Sequence, residues 1–236
     1  VTRYGQPEPE GTIEMTMRQS RVATRPRQES GLLIAFIFLI GLMFLAIPAR
    51  AGCLDHIVEA EKEMNIPKGI LLAVSLVESG GGGTPNPFIM NVRGRVLFPR
   101  SEAEAATYLR DNQGNLRGNV FAGCMQLSLA HHKQAFRPVE RIVNPEANVR
   151  YAAKYLVSLR RETGSWAAAV TRYNGSSGVK AASYQCKIKN QLVSLGADTS
   201  ADLISTAGKC DVSNPPSVAP RTRRAFEKHD VNTPIG

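Results

Sequence analysis

The stretch Asn65 to Gly83, NIPKGILLAVSLVESGGGG, decides how the rest of the chain is read. Ile70, Leu71, Leu72, Val74, Leu76 and Val77 make it apolar on nearly every side, yet it is too short for a membrane span. It therefore predicts a helix buried in a core, with Asn65 as its cap and Pro67 near its first turn. Glu78 closes the apolar run, and Ser79 and four glycines then stop the helix. Burial and the negative end of the helix dipole both disfavour an ionised carboxyl. Glu78 is thus placed to stay protonated near neutral pH, as a general acid must. Taken alone, the stretch also fits a partly exposed Glu at a fraying helix end.

The 236 residues are 43% hydrophobic, enough for one medium domain with extensions, and carry a formal charge of +9. Residues 1–51 hold six Arg and four acidic residues, which leaves 23 basic against 16 acidic in the remainder. Such a balance suits a polyanionic partner. No dense Lys/Arg block with interleaved aromatics occurs, so a nucleic-acid interface is not expected. Cys53, Cys124, Cys186 and Cys210 form no CxxC pair, which argues against zinc and dithiol redox sites. In an exported chain they predict at least one disulfide, with three full pairings open. His131-His132 lacks a spaced third ligand, so no metal site is expected, and no cofactor.

Residues 1–51 read as a leader. A basic flank containing Arg18, Arg21, Arg25 and Arg27 precedes the uncharged run 32–47, LLIAFIFLIGLMFLAI, and Ala49-Arg50-Ala51. This is the pattern of a signal peptide cleaved after Ala51, which implies a periplasmic, oxidising location. A retained membrane anchor is the alternative, and any membrane contact is expected only through this segment.

Residues 52–195 read as one mainly helical (α+β) domain with one small β-hairpin. Leu54, Ile57, Val58 and Glu61 have helical spacing. Phe88–Phe98 predicts the hairpin, turning near Val92-Arg93-Gly94. Ser101 and Glu104 match a capping box for a helix to Asp111. Ser128 is expected to cap a short helix through His131, His132 and Phe136. Asn144-Pro145-Glu146 opens a helix whose apolar face is Val149, Ala152, Ala153, Leu156 and Leu159, stopped by Gly164. Ser165 caps a helix ending at Tyr173-Asn174-Gly175, with Trp166, Ala169 and Val170 inward. A last helix is expected from about Ala181 to Leu195. The extension 196–236, rich in proline and charge from Asp211, reads as largely disordered.

Three short motifs follow in order: Glu78-Ser79, Gly123-Cys124-Met125-Gln126, and Ala169-Val170-Thr171-Arg172-Tyr173-Asn174. With Asn144-Pro145, Asn148, Ala152 and Tyr155-Leu156 between them, they resemble the soluble lytic transglycosylase domain of the goose-lysozyme-like superfamily, over about residues 53–180. The hairpin insertion and the GCMQ version resemble a subgroup found in envelope-spanning transfer and secretion systems. Thr171-Arg172 and Ser176-Ser177-Gly178 depart from the family's usual small residues and Ala-Gly-Pro.

The resemblance implies cleavage of the MurNAc-β-1,4-GlcNAc bond of peptidoglycan to 1,6-anhydroMurNAc ends. Most glycosidases need two carboxylates. Here Asp111 and Glu102 read as a solvated helix face, and the substrate's 2-acetamido group and C6 hydroxyl would do the second carboxylate's work. By resemblance Glu78 is the acid and then the base, and Tyr173 places its hydroxyl near it. Ser79 orients Glu78 or bonds the acetamido region, Met125 and Gln126 line the groove, and Asn174 bonds substrate or holds the loop. The implied partners are peptidoglycan glycan strands and envelope-spanning secretion or conjugation components. The alternatives are a lysozyme-like hydrolase on the same fold and a non-catalytic peptidoglycan-binding assembly protein. Arg93, Arg95 and Arg100 around the hairpin read as solvated, with contact to peptide-stem carboxylates as the sharper alternative.

Overall fold

Two buried helices in sequence set the frame. The computed structural model describes residues 52–205 and 210–228, so the leader and its cleavage site at Ala51 lie outside the described residues. Helix α1 (Cys53–Glu63) buries Cys53, Leu54, Ile57, Val58, Ala60 and, unusually, Glu61. Helix α2 (Ile70–Ser79) buries every residue except Val77 and Glu78.

Asn65 does not cap α2. It lies at φ 50°, in the turn that ends α1, with its amide on the Lys62 carbonyl. Asn tolerates the left-handed region as readily as it caps, and here the turn claims it. Glu61 caps α2 instead: its carboxylate accepts from the amides of Gly69 and Leu72, both at 2.9 Å.

The strands are short. β1 (Gly80–Gly81) pairs with β2 (Thr84–Pro85). A second sheet has the order β4-β3-β5-β6, built from β3 (Met90–Val92), β4 (Arg95–Leu97), β5 (Val120–Ala122) and β6 (Leu127–Ser128), all antiparallel. The hairpin turns at Arg93-Gly94, where both residues have positive φ, as a two-residue loop requires. The mainly helical class stands, but the β content exceeds the single hairpin expected. FAGCMQL supplies two further strands, too short for any alternation to be read.

Helix α3 (Glu102–Thr107) has its capping box: Ser101 accepts from the Glu104 amide at 3.1 Å, and Glu104 accepts from the Arg100 amide at 2.9 Å. It ends before Asp111, whose carboxylate takes the amides of Gln113 and Asn115 and closes a turn. After α4 (Leu129–His132) and two 3-10 turns (Lys133–Ala135, Val139–Val143), Asn144 caps α5 (Pro145–Thr163) through the Ala147 amide at 3.0 Å. The apolar face expected of α5 is wholly buried. Ser165 caps α6 (Trp166–Asn174), in which Ala169 and Val170 are buried and Trp166 half-buried. Helix α7 (Gly178–Leu195) starts three residues before the expected Ala181.

Residues 210–228 are not the disordered tail expected from Asp211. Helices α8 (Asp198–Asp202) and α9 (Pro220–Lys228) return to the domain. Thr222 and Phe226 are buried, and Lys68 sits 4.5 Å over the Phe226 ring. The Ala219 amide and the Thr222 hydroxyl both donate to the Gly83 carbonyl, at 3.2 and 2.8 Å. Two disulfides form, Cys53–Cys124 and Cys186–Cys210, and the second anchors the returning segment to α7.

Two predictions follow from these contacts. A Cβ on Gly83 would sit 2.6 Å from the backbone of residues 217 and 219, whereas one on Gly82 meets open space. Both glycines have positive φ, which alone costs a substituted alanine about 1–2 kcal/mol. In urea denaturation Gly83→Ala should therefore lose clearly more stability than Gly82→Ala; equal losses would mean that the C-terminal segment does not hold this turn. The second concerns Glu61, whose pKa burial raises from its ordinary 4.5 to about 7, against the opposing pull of the amides it accepts from. Because the folded value is the higher, this group's stabilising contribution is full below pH 4.5 and is lost as pH rises to about 7, on the order of 3 kcal/mol. Glu61→Gln should flatten that part of the stability–pH curve, and an unchanged slope would count against the assignment.

Candidate active site

Glu78 occupies the last turn of α2, half-buried, with its neighbours pointing into the core. Its Oε1 accepts from the Tyr184 hydroxyl at 2.7 Å. Burial raises its pKa; the hydrogen bond from Tyr184, the Asn174 side chain and the charge of Lys187 pull it back. The carboxyl is thus held between two opposing influences, one favouring the proton and the other the charge.

The GCMQ turn between β5 and β6 packs against this helix end. The Gly123 amide donates to the Ile89 carbonyl at 2.9 Å. Gly123 has φ 75°, and a Cβ there would lie 2.9 Å from Asn148 Nδ2. Asn148 is wholly buried and holds the turn from α5. Its Oδ1 accepts from the Met125 amide at 2.9 Å, and its Nδ2 donates to the Ala122 and Ile142 carbonyls at 2.9 and 2.7 Å. The Cys124 carbonyl accepts from the hydroxyls of Ser75 and Ser79, at 2.8 and 2.7 Å.

The residues singled out from sequence do come together, but in differing capacities. Ser79 is buried and its hydroxyl is spent on Cys124 and Ser75, so it braces the helix end. The Met125 side chain is fully buried, and its carbonyl accepts from the Tyr173 hydroxyl at 2.8 Å. Gln126, half-exposed at φ 45°, donates its amide to the Ile89 and Gly123 carbonyls. Tyr173 lies near enough for the Glu78 charge, after burial, to raise its own pKa, although its hydroxyl is bonded to Met125. Asn174 is exposed at the end of α6, beside Glu78.

The hydroxyl bonded to Glu78 belongs to Tyr184, which sequence reasoning did not single out. Its one local signal was membership of the stripe Tyr184, Ile188, Leu192 and Leu195 on α7, where a buried phenol needs a partner. Glu102 and Asp111 are engaged elsewhere, with Asn144 and with turn amides. His132 shares a hydrogen bond with Tyr151 at 2.9 Å, within an aromatic row that continues through Tyr155 to Tyr173.

A mainly helical domain with a small antiparallel sheet and a half-buried carboxyl at the end of its core helix is a lysozyme-like arrangement. The family model of the transglycosylase SLT domain matches residues 55–191, more than half of the chain, and the chain belongs to that family. Its members are typically lytic transglycosylases, so the domain implies lytic transglycosylase activity on peptidoglycan. Neither a curated protein nor a solved structure matches the chain. Two disulfides suit a compartment outside the cytoplasm. Among the described residues no helix is long and apolar enough to cross a membrane.

Tyr184→Phe removes a hydrogen bond that favours the ionised carboxylate, so the Glu78 pKa should rise further. Carboxyl-carbon NMR of Glu78 in both proteins would measure the shift; a fall, or no change, would remove Tyr184 from the site.

Proposed function

We propose that the chain is an exported, periplasmic lytic transglycosylase in which Glu78 carries both proton transfers. The supporting observation is the placement of this carboxyl: half-buried at the end of α2, with a raised pKa and phenol and amide side chains favouring its charge. No carboxylate acts on it comparably among the described residues.

In this reading protonated Glu78 gives its proton to the oxygen linking MurNAc to GlcNAc, and the GlcNAc-bearing fragment leaves. The MurNAc 2-acetamido oxygen supports C1 as that bond breaks. The C6 hydroxyl of the same sugar then attacks C1, and Glu78, now a carboxylate, takes its proton. The ring closes as 1,6-anhydroMurNAc, no water is consumed, and Glu78 is again protonated. Tyr184 and Asn174 stabilise the carboxylate between the two transfers, and the bulk of Tyr173 forms a wall beside it. The exposed Asn174 and the half-exposed Gln126 contact the sugar. Ser79 and Met125 act from inside by holding the GCMQ turn.

The wider role, local wall opening for a secretion or conjugation apparatus, rests on the hairpin insertion and the GCMQ version of the turn. Mass spectrometry of digested sacculi should show 1,6-anhydroMurNAc products from the native protein. Glu78→Gln should reduce their rate by about 10³-fold, the size of a lost general acid–base. Reducing-end MurNAc would instead mean hydrolysis, and absence of either product would mean a binding protein.

A further inference from the structure

A pocket of about 380 Å³ lies between the β3–β4 hairpin, the end of α3 and the loop leading to β5, lined by Val92, Arg93, Arg95, Leu97, Tyr108 and Arg117. The register pairs Val92 with Arg95 and Met90 with Leu97, so one sheet face supplies both an apolar floor and a guanidinium. Arg93 stands at the turn itself.

The basic groups are carried on fixed backbone. The Arg93 amide donates to the Asn119 carbonyl at 2.9 Å, and the Gly94 amide to Asn91 Oδ1 at 3.0 Å. Arg117 is held twice, by its amide to the Leu109 carbonyl at 2.9 Å and by its Nε to the Arg110 carbonyl at 2.8 Å. That second bond leaves the terminal nitrogens of Arg117, a forked donor pair, for a ligand.

Arginines nearby are treated differently. Arg110 pairs with Glu140 at 3.0 Å and Arg100 reaches Glu104 at 3.9 Å. Among the described residues no carboxylate lies within ion-pair distance of Arg93, Arg95 or Arg117. Asp111 feels the charge of Arg117, but its Oδ1 is taken by the amides of Gln113 and Asn115. Three cations around one concavity repel each other, and an anion placed among them removes that repulsion.

We propose that this pocket binds the carboxylates of an acidic peptide, and that its occupant is the peptide stem carried by the glycan. A stem alternates carboxylates with alkyl side chains, which suits three guanidiniums over Val92, Leu97 and Tyr108; an inorganic anion would leave that floor unused. Bidentate Arg–carboxylate contacts supply the specificity. The occupant rests on the activity proposed above, whereas the anion site stands on its own geometry.

The test uses the full chain and two substrates: glycan strands bearing their stems, and the same strands stripped of stems by an amidase. The native protein should show the lower KM on stem-bearing strands. Arg95→Gln and Arg117→Gln should each raise that KM by about tenfold, the worth of one charge-assisted hydrogen bond, while leaving cleavage of stripped strands unchanged. Equal KM values for the native protein on the two substrates, or equal losses on both in the variants, would overturn the proposal. Arg95 is exposed, so its variant tests the site even if Arg117→Gln disturbs the loop. NMR titration with isolated stem peptide, against inorganic phosphate as control, reads the pocket without catalysis. Shifts at Arg95 and Arg117 with peptide alone support it, and shifts with both alike reduce it to a generic anion site. If no anhydro product forms from either substrate, the proposed activity fails while the titration still decides the pocket.

Discussion

The Cys124 carbonyl is the point on which the site depends. It lies in the turn between β5 and β6 and accepts from two hydroxyls on α2, those of Ser75 and Ser79. The side chain of the same residue is bonded to Cys53 at the start of α1. Three elements from distant parts of the chain are thereby fixed at one residue, immediately beside Glu78. Asn148 completes the arrangement from α5 by satisfying two backbone groups at the same turn and a third, the Ile142 carbonyl, in the 3-10 turn before α5. A buried polar network of this kind is stable only when every member is satisfied. That requirement explains why Ser79 and Met125, next in sequence to the half-buried Glu78 and Gln126, spend their own groups inward.

Helix α2 carries a glutamate at each end of its environment, and the two are handled in opposite ways. Glu61, donated by α1, sits at the amino end, where free amides and the positive end of the dipole welcome a carboxylate. Glu78 sits at the carboxyl end, where no such amides exist and side chains must do the work. Burial raises both pKa values. The helix is therefore a rigid spacer between a structural carboxyl that is closed off and a second one that remains half-open.

What was legible in the sequence was local. The caps Ser101, Asn144 and Ser165 each act on an amide three residues on, so residue type and spacing reveal them. The apolar face of α5 follows from periodicity alone. An Asn side chain such as that of Asn65 suits a helix cap and a left-handed turn alike, and only the position of Glu61 decides between them. Strands of two or three residues give no pattern. Tyr184 finds Glu78 across 106 residues, and the disulfide partners were open to three arrangements until the fold joined them. The stretch after Asp211 looks polar and proline-rich and is mostly exposed, yet two buried residues, Thr222 and Phe226, fasten it to the domain.

Helix α9, the last described element, packs against α1, the first, with Leu54, Val58 and Ala225 in the seam between them. A chain delivered amino end first, from a ribosome or through a translocation channel, exposes α1 long before α9 can cover it. The core surface of α1 that faces α9 is therefore sealed only when residues 220–228 have emerged. Such end-to-end contacts carry a high loop-closure cost and slow the approach to the native state. They also give the chain a built-in order of assembly: the Cys53–Cys124 link involves only early residues, and the Cys186–Cys210 link must wait. A domain made this way reaches its closed form only after α9 has been made and delivered.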